Sequence, residues 1–129
     1  MSRTVMIVDD AFFIRNLLRS ILELDGYNVV AEAANGVEAV AKFREHRPAM
    51  IIMDVIMPLL NGIEATREIV ALDQGVKIVL CSSVGPEELA LAVRSAGAQD
   101  GIEKPFTAEQ VREVVGRLSA ERASEFEMG

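Results

Sequence analysis

The chain has 129 residues, 50% of them hydrophobic and 26% charged, which suits one compact domain with a full core. Its formal charge of −7 argues against nonspecific nucleic-acid binding, which needs clustered Lys and Arg to neutralise phosphates. No apolar run approaches the roughly 20 residues that span a bilayer, so membrane insertion is not expected.

The opening MSRTVMIVDD meets an acidic pair too early to hold a signal-peptide core. The lone Cys81 cannot form an internal disulfide, which fits a reducing compartment; a cytoplasmic location is expected.

In chain order, Thr4 to Val8 is a β-branched apolar run ending at Asp9 and Asp10. Ile14, Leu17, Leu18, Ile21 and Leu24 then keep helical spacing, and Gly26 is a suitable left-handed terminator. Asn28 to Glu32 predicts a second strand. Asn35-Gly36 marks a turn, after which Val37, Val40 and Ala41 predict one side of a helix that stops before Pro48. Met50 to Pro58 (MIIMDVIMP) is the central stretch. Its apolar run reads as a strand buried on both faces, closed by one acid, Asp54, and then a loop from Pro58 to Gly62.

A third helix begins near Gly62 or Ile63 and carries Ile63, Ile69 and Val70. Val76 to Cys81 predicts a fourth strand, followed by Ser82 and Ser83. Pro86, Glu87 and Glu88 suit a helix start, and Leu89, Ala92, Val93 and Ala96 form its buried face, with Gly97 as the stop. Gln99 to Glu103 is the weakest strand because of Gly101. Lys104-Pro105-Phe106 leads into a last helix bearing Val111, Val114, Val115 and Leu118. Residues 1–119 form the predicted domain. Residues 120–129 lose apolar periodicity and are read as a polar tail, either a frayed helix end or disordered.

Strands alternate with single helices, which implies an α/β fold with a parallel sheet covered on both faces. In such a sheet all strand ends of one sense share an edge, where ligands bind. Asp9, Asp10, Asp54, Ser82 and Lys104 all leave strands at that edge. Three carboxylates at close quarters repel, and a hard divalent cation such as Mg2+ relieves that repulsion. A lysine ammonium and a serine hydroxyl could then hold phosphate oxygens. Asp54 is the expected phosphoryl-accepting nucleophile.

Asp9-Asp10, Asp54 with Met57-Pro58 and Asn61-Gly62, Ser82, and Lys104-Pro105 together resemble the receiver domain of two-component response regulators. The likeness runs from residue 3 to about 119, and VDDAFFIR and KIVLCSS look most like the chemotaxis-type, single-domain members. The resemblance implies a flavodoxin-like, doubly wound five-stranded sheet in the order 2-1-3-4-5 with five helices. It implies phosphorylation of Asp54 by a histidine kinase or a phosphotransfer protein. Asp10 would bind Mg2+ directly, Asp9 directly or through water, and the Ile56 backbone carbonyl would complete the protein ligands. Lys104 would pair with the phosphoryl group and Ser82 would swing toward it. A cis Lys104-Pro105 bond is implied too. A downstream protein would dock on the face of the fourth helix, fifth strand and fifth helix, and the unphosphorylated protein would be a monomer.

Two departures stand out. The family commonly has Tyr or Phe three residues before the lysine, where this chain has Gly101, so signalling is expected to travel through the Ser82–Pro86 loop and the helix after it. Ile56 and Val84, at positions that tune loss of the phosphoryl group in the family, are apolar and cannot orient an attacking water. Slow autodephosphorylation is expected.

Blander readings compete residue by residue. Asp54 alone could cap a loop, Asp9-Asp10 could cap a helix, and Ser83 could compete with Ser82 for the phosphate. Cys81 reads as a buried strand residue, His46 as solvated, and Leu91 as a possible partner contact. An excised receiver of a longer regulator is a second reading of the whole chain. An aspartyl-phosphate hydrolase is a third, disfavoured because Ile56 replaces the acid that chemistry wants two residues after the nucleophile. A nucleotide-binding fold would want a glycine-rich turn where this chain has Asp-Asp-Ala-Phe-Phe.

Overall fold

The computed structural model describes the backbone of residues 3–128 and the side chains of residues 3–120. Strands and helices alternate without exception: β1 (Thr4–Val8), α1 (Phe12–Leu24), β2 (Asn28–Ala33), α2 (Gly36–His46), β3 (Met50–Asp54), α3 (Gly62–Leu72), β4 (Lys77–Ser82), α4 (Pro86–Ala96), β5 (Asp100–Glu103) and α5 (Ala108–Met128). The five strands form one sheet in the order β2-β1-β3-β4-β5, and every pairing is parallel. This is the doubly wound α/β architecture expected from the sequence.

The sheet separates two apolar cores, and the period of two along each strand sorts residues between them. Met6, Val8, Ile51, Met53, Ile78 and Leu80 face one core, which Phe43, Ile69 and Leu89 cover from α2, α3 and α4. Val5, Ile7, Ile52 and Val79 face the other, covered by Leu18, Leu22, Val111 and Val115 from α1 and α5. Because both faces are buried, the central strands read as unbroken apolar runs rather than alternating ones.

Local chemistry fixes the helix ends. Asn35 caps α2: its Oδ1 accepts from Glu38 N (2.9 Å), while Glu38 Oε1 accepts from Ala34 N (3.2 Å), one residue before the cap. Asn61 caps α3 in the same way through Glu64 N at 3.0 Å. Pro86 opens α4, and Gly97 at φ 85° closes it. The Lys104-Pro105 bond is cis.

Two helix faces differ from the sequence expectation. In α1 the buried residues are Leu18, Ile21 and Leu22, whereas Leu24 is 90% exposed. The buried stripe follows the 18-21-22 line, which leaves Leu24 on the outer side of the last turn. In α2 the inward residues are Gly36, Ala39 and Phe43, while Val37 is exposed and Val40 only partly buried. Gly36 lets the start of α2 sit against the Leu60 carbonyl, and Ala39 and Phe43 are buried in the core below it. Asp10 does not cap α1; Ala11 holds that position, and it is Asp9 Oδ1 that receives the Ala11 N–H at 2.8 Å. The backbone of α5 continues as helix to Met128. The reading of residues 120–129 as a tail falls almost wholly on side chains outside the described residues. Among the described residues no helix is long and apolar enough to cross a membrane.

Candidate active site

Parallel pairing decides where the chemistry collects. Val8 lies opposite Met53, Asp54 opposite Cys81, and Ser82 opposite Glu103. The residues that follow β1, end β3 and β4, and follow β5 therefore meet on one rim. One carboxylate oxygen from each of Asp9, Asp10 and Asp54 lies within 4.8 Å of the others. Lys104 Nζ donates to Asp9 Oδ2 at 2.6 Å and stands 3.6 Å from Asp54 Oδ2. Asp9 and Asp54 are buried, and Asp10 is exposed at the mouth.

The backbone braces this cluster. The Asp9 N–H donates to Ala33 O at 3.0 Å, and Val55 N–H donates to Cys81 O at 3.2 Å. Gly62 N–H donates to Val55 O at 2.8 Å, and a Cβ on Gly62 would lie 2.0 Å from the Asp54 carbonyl oxygen. Asn61-Gly62 is thus both a helix cap and a contact that only glycine allows. Gly36 makes a similar approach, donating to Leu60 O at 2.9 Å. Leu59 turns the intervening loop at φ 68°, a left-handed conformation unusual for a leucine.

Electrostatics follow from this crowding. Burial pushes the Asp54 carboxyl up to about 6, and the Asp9 charge adds to that; Lys104 and the Ile56 backbone N–H oppose it. For Lys104 burial works against the charge, but the hydrogen bond to Asp9 and the proximity of Asp54 outweigh it, so its pKa is raised. The two shifts go up for different reasons, burial first for Asp54 and acidic partners overriding burial for Lys104. Lys104 faces two acids, whereas Asp54 faces one cation and two acids. Burial raises the Cys81 thiol to about 12, which keeps it protonated and unreactive.

All five side chains singled out in the sequence reach this rim, although not all touch. Asp9, Asp10, Asp54 and Lys104 form the cluster. Ser82 is buried at the same edge, with its Oγ accepting from Val84 N at 3.4 Å within its own loop. Ile56 is 63% exposed beside the pocket and turns its backbone N–H toward Asp54. Hard oxygen donors at this separation fit a small divalent cation such as Mg2+.

The sequence did not single out Arg15, Glu32 or Leu89 as partners of the site. Arg15 Nη1 donates to Asp9 O at 2.7 Å, and its Nε pairs with Glu32 Oε1 at 3.1 Å. Leu89 lies over Gly101. The available signal for Arg15 was weak: a basic residue off the apolar face of a helix normally reads as solvated.

Comparison with known proteins adds a family. The profile described as "Response regulator receiver domain" matches residues 5–116. The chain is 42% identical over 117 residues to "Chemotaxis protein CheY" of Bacillus subtilis, covering 91% of this chain and 98% of that protein. A CheY-like receiver domain protein from Methanospirillum hungatei superposes with TM-score 0.89 at 26% identity, covering 97% and 99% of the two chains. The CheX-CheY-BeF3-Mg2+ complex of Borrelia burgdorferi contains a match with TM-score 0.81 and 31% identity, covering 85% of this chain and 84% of that one.

Proposed function

The chain belongs to the response regulator receiver domain family of two-component signalling, and from that premise we propose that it signals by accepting a phosphoryl group on Asp54. The observation that carries this reading is the meeting of Asp54 with Asp9, Asp10 and Lys104, from three separate segments, in one partly desolvated pocket. With its pKa near 6, Asp54 is mostly ionised at neutral pH and available as a nucleophile. One of its carboxylate oxygens forms the new O–P bond as the N–P bond of a donor phosphohistidine breaks. The departing imidazole nitrogen keeps the electron pair.

Each neighbour has a part in this scheme. Lys104 places a cation beside the oxygens of the transferred group, and the Ser82 hydroxyl donates to another of them after its loop moves. Mg2+, held by Asp9, Asp10, Asp54 and the Ile56 carbonyl, would neutralise the acids and the phosphoryl oxygens. The relative from Borrelia burgdorferi, solved with BeF3 and Mg2+, supports that reading. Ile56 and Val84 offer no polar group to an attacking water, so the phosphoform of the isolated protein should last well beyond seconds.

The donor is a histidine kinase or a phosphotransfer protein. The output partner docks on α4, β5 and α5, where a groove of about 490 Å3 is lined by Leu89, Val93, Gly101, Ile102 and Val114. The receiver occupies residues 1–119, acts in the cytoplasm, and is monomeric before phosphorylation. It turns over no metabolite. Labelling with acetyl phosphate, with and without Mg2+, tests the scheme: label should require the metal and vanish in Asp54→Ala. Label that survives in Asp54→Ala removes the assignment.

A further inference from the structure

We propose that Arg15 is a positioning residue for the metal-binding acids, clamping the peptide that joins Asp9 to Asp10; this rests on the reading of Asp9, Asp10 and Asp54 as a Mg2+ site. β1 ends at Val8, so the two acids lie just past the last strand residue. The Asp9 N–H is still tied to Ala33 O. Beyond that bond, the Asp9 carbonyl is held by Arg15 Nη1 at 2.7 Å. A peptide unit is planar, so fixing the Asp9 carbonyl also fixes the Asp10 N–H and the Asp10 Cα from which that side chain leaves the backbone. Asp9 Oδ1 is occupied by Ala11 N and Oδ2 by Lys104 Nζ, whereas Asp10 is exposed. The clamp matters most for Asp10.

Arg15 is itself anchored. Its Nε pairs with Glu32 Oε1 at 3.1 Å, and the second Glu32 oxygen takes Arg19 Nε at 2.7 Å. Glu32 sits on β2 in register with Ile7. The guanidinium lies 5.6 Å from the Phe12 ring centroid, and the side chain is only 16% exposed. A guanidinium is a rigid fork, so two of its nitrogens can bridge a carbonyl and a carboxylate at once in a way a lysine cannot. By binding the Asp9 carbonyl rather than its carboxylate, Arg15 places no further donor on the metal-binding oxygens.

The proposal has a sign that separates it from plain electrostatics. Arg15 is a cation near a cation site, so if its charge were its whole effect, removing it would tighten Mg2+ binding. If it positions the ligands, removing it weakens binding. Partners that orient metal ligands typically matter by about tenfold or more. Isothermal titration of the unphosphorylated protein with MgCl2 decides between the two. Arg15→Ala should raise the Kd about tenfold and Glu32→Gln about twofold, with Arg15→Lys between native and Arg15→Ala. Arg19→Ala, which also touches Glu32 but not Asp9, should stay within about twofold of native. Thermal melts in EDTA establish that each variant is folded, and should Arg15→Ala unfold, Arg15→Lys and Glu32→Gln carry the comparison. Unchanged or tighter Mg2+ binding in the folded Arg15 variants overturns the role of Arg15 alone. Failure of the native protein to bind Mg2+ overturns the metal site and the proposal with it.

Discussion

Leu89 occupies the space that a side chain at Gly101 would need. A Cβ built on Gly101 falls 2.8 Å from Leu89 Cγ and 3.0 Å from Cδ2. Leu89 is buried at the first turns of α4 and packs against Leu80 and its neighbours in the core. The helix that follows the Ser82–Pro86 loop is therefore keyed into β5 by a leucine lying against a glycine. Gly101→Ala should cost about 1–3 kcal/mol by overpacking, and Leu89→Ala about 2–4 kcal/mol by leaving a cavity. Combined, they should cost less than their sum, since the methyl added at 101 grows into the vacated space. Urea unfolding of the four proteins reads this out; strict additivity means the two residues do not share the site.

Metal-free stability should depend on Asp54 in a defined pH window. Its folded pKa of about 6 lies above the ordinary 3.8, so between those values the folded state binds the proton more tightly. Ionised Asp54 thus weakens the fold above pH 6, and the penalty disappears below about pH 4. Asp54→Asn should stabilise the protein by about 2–3 kcal/mol at pH 7.5 in EDTA and by nearly nothing at pH 3.5. Equal denaturant midpoints for the two proteins at pH 7.5 would contradict this.

Lys104 has the opposite sign. Its raised pKa means that the charged form stabilises the fold throughout the neutral range and is lost only at strongly alkaline pH. Lys104→Gln should cost about 1–3 kcal/mol without metal, because Asp9 and Asp54 lose their shared cation. Added Mg2+ should recover part of that loss. Thermal melts with EDTA and with MgCl2 give the comparison, and a cost that Mg2+ leaves untouched would speak against a metal among these acids.

Two glycine substitutions should differ in direction. Gly62→Ala drives a methyl into the Asp54 carbonyl, a backbone contact with no soft neighbour to yield, and should cost 3 kcal/mol or more in order of magnitude along with phosphorylation. Gly116 lies inside α5 with nothing within 4 Å of an added Cβ. Gly116→Ala should stabilise by about 0.5–1 kcal/mol through helix propensity. Parallel urea titrations check both at once.

The parallel sheet and the rim were legible because the main apolar runs stop at residues whose chemistry differs from the run, whereas the strand order came only with the family resemblance. That transition survives without knowledge of packing. Helix faces were less legible. In α2 the inward line of Gly36, Ala39 and Phe43 competes with the outward Val37, and periodicity alone weighs valine above glycine. The close approach of Gly36 to the Leu60 carbonyl, a tertiary property, reverses that weighting. Arg15 was invisible for another reason: its partners Asp9, just past β1, and Glu32, in β2, are brought to it by the sheet.

The backbone around the pocket divides it into a stiff side and a yielding side. Toward α3, Gly36 and Gly62 lie so close to neighbouring carbonyls that the loop from Val55 to Asn61 has no slack. Toward α4, Gly85 has open space around it, and the Ser82 hydroxyl meets its loop through a long contact from Val84 N. Accommodation of an anion on Asp54 should then come from the α4 side. On this geometry the signal from a phosphorylated Asp54 should leave by the side that bears Leu89 rather than by the side that bears Gly62.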